Sequence, residues 1–255
     1  MKVSVVMPAF NAEKYIPSAV KSVLSQTYKD FELIIIDDAS TDDTEKIIGS
    51  LDDSRIRIIR NDINRGVAFS RNLGVKEAKG RWIAFLDSDD IWETEKLQKQ
   101  INLVEKDTAV KFCFTGSTFI NAEGRKKNYI LHVPQKISKT EILKQNLISC
   151  SSVLIDRNLM IKYPMSEEQN IHEDFYSWIK MLEEIEFAYG IDEPLLIYRI
   201  SDSSKSGNKL MAAKMNWNTY RKAGIPMPSA AASMICYAIN GIKKYRAIIK
   251  AGNKE

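Results

Sequence analysis

Three aspartates follow an apolar run in Phe85-Leu86-Asp87-Ser88-Asp89-Asp90, and no Lys or Arg comes immediately after them. Carboxylates crowded at one point repel one another, and a bound cation relieves that repulsion. Ligands that are all oxygen select hard ions, Mg2+ or Mn2+, which complete their shells with phosphate oxygens. The same residues also fit a solvated loop with helix-capping aspartates, so this cluster alone leaves both readings open. A second acidic cluster, Asp37-Asp38-Ala39-Ser40-Thr41-Asp42, ends the apolar run that begins at Phe31. A carboxylate such as Asp38 in that place can accept from a base N–H or a ribose hydroxyl, and Ser40 and Thr41 suit a helix start. A third run ends in Pro8-Ala9-Phe10-Asn11, where Phe10 offers an aromatic face and Asn11 a cap.

Chemistry at three such points requires elements that bring them to one place. Val3 to Met7, Phe31 to Ile36, Arg55 to Arg60 and Trp82 to Leu86 read as strands. Residues 15–24, 66–78 and 97–104 read as helices from their apolar spacing. Asp42-x-x-Glu45 and Ser138-x-x-Glu141 each carry the pattern of a capping box. Alternating strands and helices predict an α/β fold with a mostly parallel sheet covered on both faces. Ligands of such sheets sit beyond the carboxyl ends of the strands, where all three polar clusters fall. Past residue 108 the pattern is less regular. Val110 to Thr115 and Tyr129 to Val133 suggest strands around the turn at Asn121–Gly124, and helices resume after Asn208.

The chain has 255 residues, 37 Lys and Arg against 33 Asp and Glu, and a net charge of +4, too small to indicate a nucleic-acid partner. Cys113, Cys150 and Cys236 are few and odd in number, which argues against a disulfide framework and for a reducing, cytoplasmic setting. The apolar start is too short for a signal-peptide core, and no stretch approaches the roughly 20 apolar residues of a membrane span.

Five ordered motifs resemble those of family 2 glycosyltransferases of the GT-A fold, over essentially the first 200 residues. They are Pro8-Ala9-Phe10-Asn11, Ile36 to Asp42, Asn64-Arg65-Gly66 with Arg71-Asn72-x-Gly74, Asp87-Ser88-Asp89-Asp90, and His172-Glu173-Asp174 with Trp178. The likeness is greatest to enzymes that build bacterial surface polysaccharides, including teichuronic-acid-type transferases. It implies a GT-A catalytic domain over 1–205, with a nucleotide-sugar half (1–108), an acceptor half (109–205) and a C-terminal helical extension (206–255). It also implies an inverting transfer from a nucleotide-diphosphate donor, a UDP-sugar, to a saccharide or lipid-linked acceptor, with Mn2+ or Mg2+ as cofactor. By the same resemblance Pro8, Phe10 and Asp38 line the nucleobase site and Arg71 lies near the nucleotide. Asp87 and Asp89 form the metal motif, Asp90 neighbours the donor sugar, and Asp174 is the catalytic base, preceded by Glu173. An inverting transfer needs one such base for the acceptor hydroxyl's proton.

His172 beside that base is expected to face the acceptor. Arg199 and Lys205 are candidates for the diphosphate. The family often carries a His near Tyr198-Arg199, and here Ile200 stands instead, so no further metal ligand is expected from that segment. A charge at Glu173-Asp174 also suits a helix N-terminus without any catalytic role. His132 reads as structural.

Residues 209–250 mix aromatic and aliphatic residues with Lys243, Lys244, Arg246 and Lys250. Such a helix suits the interface of an anionic membrane, so peripheral contact with the inner face of the cell membrane is expected; packing on the catalytic domain or in a homodimer fits the same pattern. Two other functions share the α/β pattern. A sugar-phosphate nucleotidyltransferase needs an early Gly-rich phosphate loop, and Pro8–Glu13 has no glycine. A Mg2+-binding receiver-like signalling domain is about half this length and has no use for Glu173-Asp174.

Overall fold

The computed structural model of the chain describes residues 2–200 and 209–252. Strands β1 (Val3–Ala9), β2 (Phe31–Asp37), β3 (Ile56–Arg60) and β4 (Trp82–Phe85) run parallel in the spatial order β3-β2-β1-β4. Helices α1 (Ile16–Leu24), α2 (Thr44–Gly49) and α3 (Val67–Glu77) connect them. The chain thus moves outward from β1 to β3 and then returns to lay β4 on the other side of β1. That reversal creates a crevice at the carboxyl ends of β1 and β4.

Strands buried on both faces divide their side chains by alternation. Val6, Ile34, Ile36, Ile83 and Phe85 enter one core, while Val3, Val5, Leu33, Ile35 and Ala84 enter the other. On the first face α3 sits close to the sheet because residue 74 is glycine; a Cβ there would lie 2.3 Å from Val6 Cγ1. This seat carries Arg71, one turn earlier, to the crevice.

The second half contributes β5 (Ile91–Trp92), α4 (Lys96–Lys106), β6 (Phe112–Ile120), β7 (Lys126–Leu131), β8 (Lys136–Ile137) and α5 (Lys139–Lys144). A single 3-10 turn (Cys150–Ser152) then leads to β9 (Leu154–Asp156), α6 (Arg157–Lys162), α7 (Glu173–Met181) and β10 (Ala188–Arg199). Strand β9 lies between β4 and β6 and is antiparallel to both, so the ten-stranded sheet is mixed. The expected capping box opens α5, where Ser138 and Glu141 bond reciprocally. At α2 the expected one is replaced. Asp42 Oδ1 accepts from the Thr44 N–H, and Glu13 from another loop accepts from the Asp43 N–H.

Helices α8 (Lys209–Lys222) and α9 (Met227–Gly252) follow. Tyr220 is fully buried, edge-on to Phe175 of α7, and donates to the Leu143 carbonyl. Tyr220, Ala223, Ile225 and Ala230 join the same core as α3 and α7.

Candidate active site

The crevice opens where β1 and β4 part. The Leu86 N–H donates to the Val6 carbonyl at 3.1 Å, and the next rung of a parallel ladder would need an N–H from residue 8. Pro8 has none, so β1 runs on paired only with β2, as Pro8↔Ile36 and Ala9↔Asp37. Pro8 is buried in the wall, whereas Phe10 just beyond it is 48% exposed. An aromatic ring standing free at a strand end is a platform for a flat ligand.

The loops after β1 and β2 are laced together. Ser40 Oγ accepts from the Asn11 N–H (3.0 Å), Asn11 Oδ1 from the Thr41 N–H (2.9 Å), and Thr44 Oγ1 from the Ala12 N–H (2.8 Å). Asn11 (φ 48°) and Ala39 (φ 59°) both hold left-handed backbone, a strain that persists only where the surroundings enforce it. Asp38, nearly buried, draws in the segment after β3: Oδ1 accepts from Asn61 Nδ2 (2.7 Å) and the Arg65 N–H (3.0 Å), and Oδ2 from the Gly66 N–H (2.7 Å). A carboxylate has about four acceptor positions, so one remains for a ligand N–H.

The acidic end of β4 is organised by Arg71, which is 4% exposed. Its guanidinium donates to Asp87 Oδ1 (2.5 Å) and to Glu173 Oε1 (3.2 Å), joining the end of β4 to the start of α7. Burial opposes that charge, but Asp87 and Glu173 outweigh it and hold the Arg71 pKa well above its ordinary value. Asp89 makes no ion pair among the described residues. Burial and the Asp87 carboxylate push its pKa up to about 6. Asp90 is buried, and burial with Asp89 and Asp87 beside it raises its pKa well above the usual range. Its Oδ1 accepts from the Arg199 N–H (2.9 Å), and its Oδ2 is buried without a partner.

Among the described residues no three His, Cys, Asp or Glu side chains form a closed metal cage. An all-oxygen donor set of one or two carboxylates fits Mg2+ or Mn2+, which take the rest of their shells from phosphate and water. Asp89 would be the principal ligand and Asp87 its neighbour.

His172, Glu173 and Asp174 open α7 on the opposite wall. Asp174 is part-exposed; its Oδ1 accepts from the Phe175 N–H (2.6 Å), and burial and the Glu173 charge push its pKa up to about 6. A carboxylate titrating there can serve as a general base near neutral pH. The His172 N–H donates to Thr219 Oγ1 (2.9 Å) and its Nε2 lies 3.4 Å from the Ala212 carbonyl, so α8 fixes the entry to α7. In its described contacts His172 faces α8 rather than open crevice.

Arg199 is a buried clamp. Its Nε donates to the Asp89 carbonyl (2.8 Å), Nη1 to the Asn121 carbonyl (3.2 Å), and its plane lies 4.3 Å from the Tyr15 ring centroid. Lys205 lies outside the described residues. His132 is exposed and pairs with Asp192 at 3.1 Å. Sequence reasoning missed Asn61 and the Cys150–Ser152 turn, whose Ser151 Oγ accepts from the Asp87 N–H (3.1 Å). Nothing in a Ser-Cys-Ser-Ser string marks it as the support of a carboxylate sixty-odd residues earlier.

The pattern of Glycosyl transferase family 2 matches residues 4–162. The chain is similar to the putative teichuronic acid biosynthesis glycosyltransferase TuaG of Bacillus subtilis (strain 168), with 37% identity over 246 residues, 95% of this chain and 96% of the relative. It is also similar to the Escherichia coli UDP-Glc:alpha-D-GlcNAc-diphosphoundecaprenol beta-1,3-glucosyltransferase WfgD, with 36% identity over 253 residues, 99% and 98% of the two chains. Both alignments are long enough to take in α8 and to reach into α9. Among solved structures, S. aureus TarS 1-349 in complex with UDP-GlcNAc superposes with a TM-score of 0.74 at 19% identity, covering 88% of this chain and 66% of that one. Mannosyltransferase PcManGT from Pyrobaculum calidifontis, in complex with GDP-Man and Mn2+, gives a TM-score of 0.71 at 15% identity, covering 98% and 72%. These likenesses show the GT-A fold, and the family match together with the two relatives shows that this chain is a glycosyltransferase belonging to glycosyl transferase family 2.

Proposed function

We propose that this glycosyltransferase is an inverting enzyme that takes its sugar from a UDP-sugar and passes it to a saccharide carried on a lipid diphosphate, in cell-surface polysaccharide synthesis. The observation that carries the reading is the Arg71 bridge, which holds the acidic end of β4 and the Glu173-Asp174 helix start against one crevice. Phe10 stacks on the base and Asp38 accepts its imide N–H through the remaining acceptor position. Asp89 and Asp87 would hold a Mn2+ or Mg2+ ion, which when bound would supply positive charge beside the departing nucleoside diphosphate. Asp174 takes the proton of the acceptor hydroxyl as the hydroxyl oxygen attacks from the face opposite the leaving group. The choice of UDP and of a lipid-linked acceptor is supported by the substrates named for WfgD and by the UDP-GlcNAc complex of TarS.

Thermal denaturation with nucleotides tests this directly. UDP with Mn2+ at about 100 times its Kd is expected to raise Tm by roughly 5–10 °C, and UDP with EDTA to give little. A well-folded protein indifferent to UDP and UDP-sugars, with or without Mn2+, would falsify the assignment.

Among the described residues no helix is long and apolar enough to cross a membrane. On α9, Ile235 (64% exposed) and Ile239 (49% exposed) stand one turn apart, and the helix continues through Lys243, Lys244, Arg246 and Lys250. We assign this helix to the surface of an anionic bilayer, where a lipid-linked acceptor resides. Co-sedimentation with phosphatidylglycerol vesicles should fall at least about fivefold in Ile235→Asp/Ile239→Asp. Equal vesicle binding by the double variant, or a wild-type dimer that the same changes dissociate, would give the stripe to a different surface.

A further inference from the structure

Lys96 is fully buried at the first residue of α4, and it makes no ion pair among the described residues. Two effects oppose a charge there: desolvation, and the positive end of the helix dipole. Burial pulls its pKa down to about 7, and the adjacent Cys113 thiol, pushed up by burial to about 12, is no counter-ion. The ammonium has two visible partners. It donates to Gln100 Oε1 at 2.8 Å and lies 4.0 Å from the Trp92 ring centroid.

Each partner holds the same turn. Gln100 Nε2 donates to the Ser152 carbonyl (2.9 Å), and Trp92 Nε1 to the Ser151 carbonyl (2.7 Å). All of these residues are buried, and Ser151 Oγ accepts the Asp87 N–H. Lys96 donates to Oε1 and the Ser152 carbonyl, which can only accept, takes Nε2, so the two partners agree on one orientation of the Gln100 amide. With Oε1 engaged, Nε2 must point at the Ser152 carbonyl. An apolar residue in place of Lys96 would leave Gln100 Oε1 buried without its donor.

We propose that Lys96 is a positioning residue of the transferase site: through Gln100 and Trp92 it fixes the Cys150–Ser152 turn, and the turn fixes the main chain of Asp87. The inference rests on the reading of Asp87 as part of the donor diphosphate site, beyond which it adds a buried brace on the far side of the sheet from Arg71.

Three full-length variants test it. Lys96→Met removes the ammonium, Trp92→Phe keeps a ring but removes the donor to Ser151, and Gln100→Glu gives Lys96 a carboxylate while removing the donor to Ser152. Calorimetric titration with UDP and Mn2+, well below each Tm, should show Kd raised about tenfold in each, because a buried carbonyl left without its donor makes the turn shift. Hydrogen exchange at the Asp87 amide should accelerate about tenfold or more, while the Leu33 amide stays protected. Gln100→Glu is the decisive variant, since an added ion pair protects a merely structural lysine. Unchanged Kd and unchanged Asp87 exchange in folded Gln100→Glu and Trp92→Phe would overturn the proposal, whatever Lys96→Met does to stability. A wild-type protein that does not bind UDP would defeat the donor-site reading instead, and Asp87 exchange would still decide the brace.

Discussion

Asp174→Asn is expected to bind UDP and Mn2+ as the wild type does and to lose transfer by about 10²–10⁴-fold, the usual contribution of a positioned base. The substitution keeps the acceptor for the Phe175 N–H, so the start of α7 should persist. Only the capacity to take a proton is lost. Measuring kcat with saturating donor, beside calorimetric UDP binding, separates the two effects; a variant that turns over normally would place the base elsewhere. The pH dependence follows from the same environment. Burial and Glu173 raise the Asp174 pKa to about 6, so the base is charged above that value and protonated below it. With Mn2+ and donor saturating at every pH, so that the metal keeps Asp89 ionised, wild-type kcat should therefore drop about tenfold per pH unit below about 6. Under the same saturation that limb should vanish from the residual rate of Asp174→Asn.

Asp89→Asn is expected to abolish the Mn2+-dependent part of donor binding while making the metal-free protein slightly more stable. The sign follows from linkage. A carboxyl group whose folded pKa is raised, here to about 6, contributes stability that is present below its unfolded pKa of about 4 and lost as pH rises through the folded value. At pH 7.5 the metal-free protein bears that cost, and an uncharged amide does not. Tm without metal should rise by roughly 2–4 °C in the variant, and the further increase given by UDP with Mn2+ should be lost. At pH 5.5 the wild type should likewise respond less to Mn2+, because Asp89 must give up its proton to take the ion. A variant that keeps the full metal response would show that Asp89 is not the ligand.

The parallel half of the fold was legible because β1, β2 and β4 are apolar runs and α1 carries a clear helical period. Val3–Ala9 and Phe31–Asp37 are buried along their whole length, so the strand and its polar exit are visible in the string of letters. The second half resisted for physical reasons. Strands β5 and β9 have two and three residues, too few for any period, and β10 is interrupted by Asp192, Glu193 and Pro194, where its pairing with β6 slips. The antiparallel insertion of β9 depends on long-range pairing that no local pattern encodes. At the site, the carboxylates were visible as clusters, and the resemblance gave Arg71 and Asp174 their expected places. The partner that Arg71 chooses, the loop that Asp38 gathers and the clamp made by Arg199 are tertiary contacts. They become visible only once the chain is folded.

The hydrogen bond from the His172 N–H to Thr219 reaches beyond local geometry. It joins the residue before the acidic pair to α8, and both lie beyond the family's matched region of 4–162. Exchanging the last fifty-odd residues for those of a relative would therefore also loosen the entry to α7, where the proposed base stands. A chimera that keeps this entry intact would have to carry α7 across together with α8.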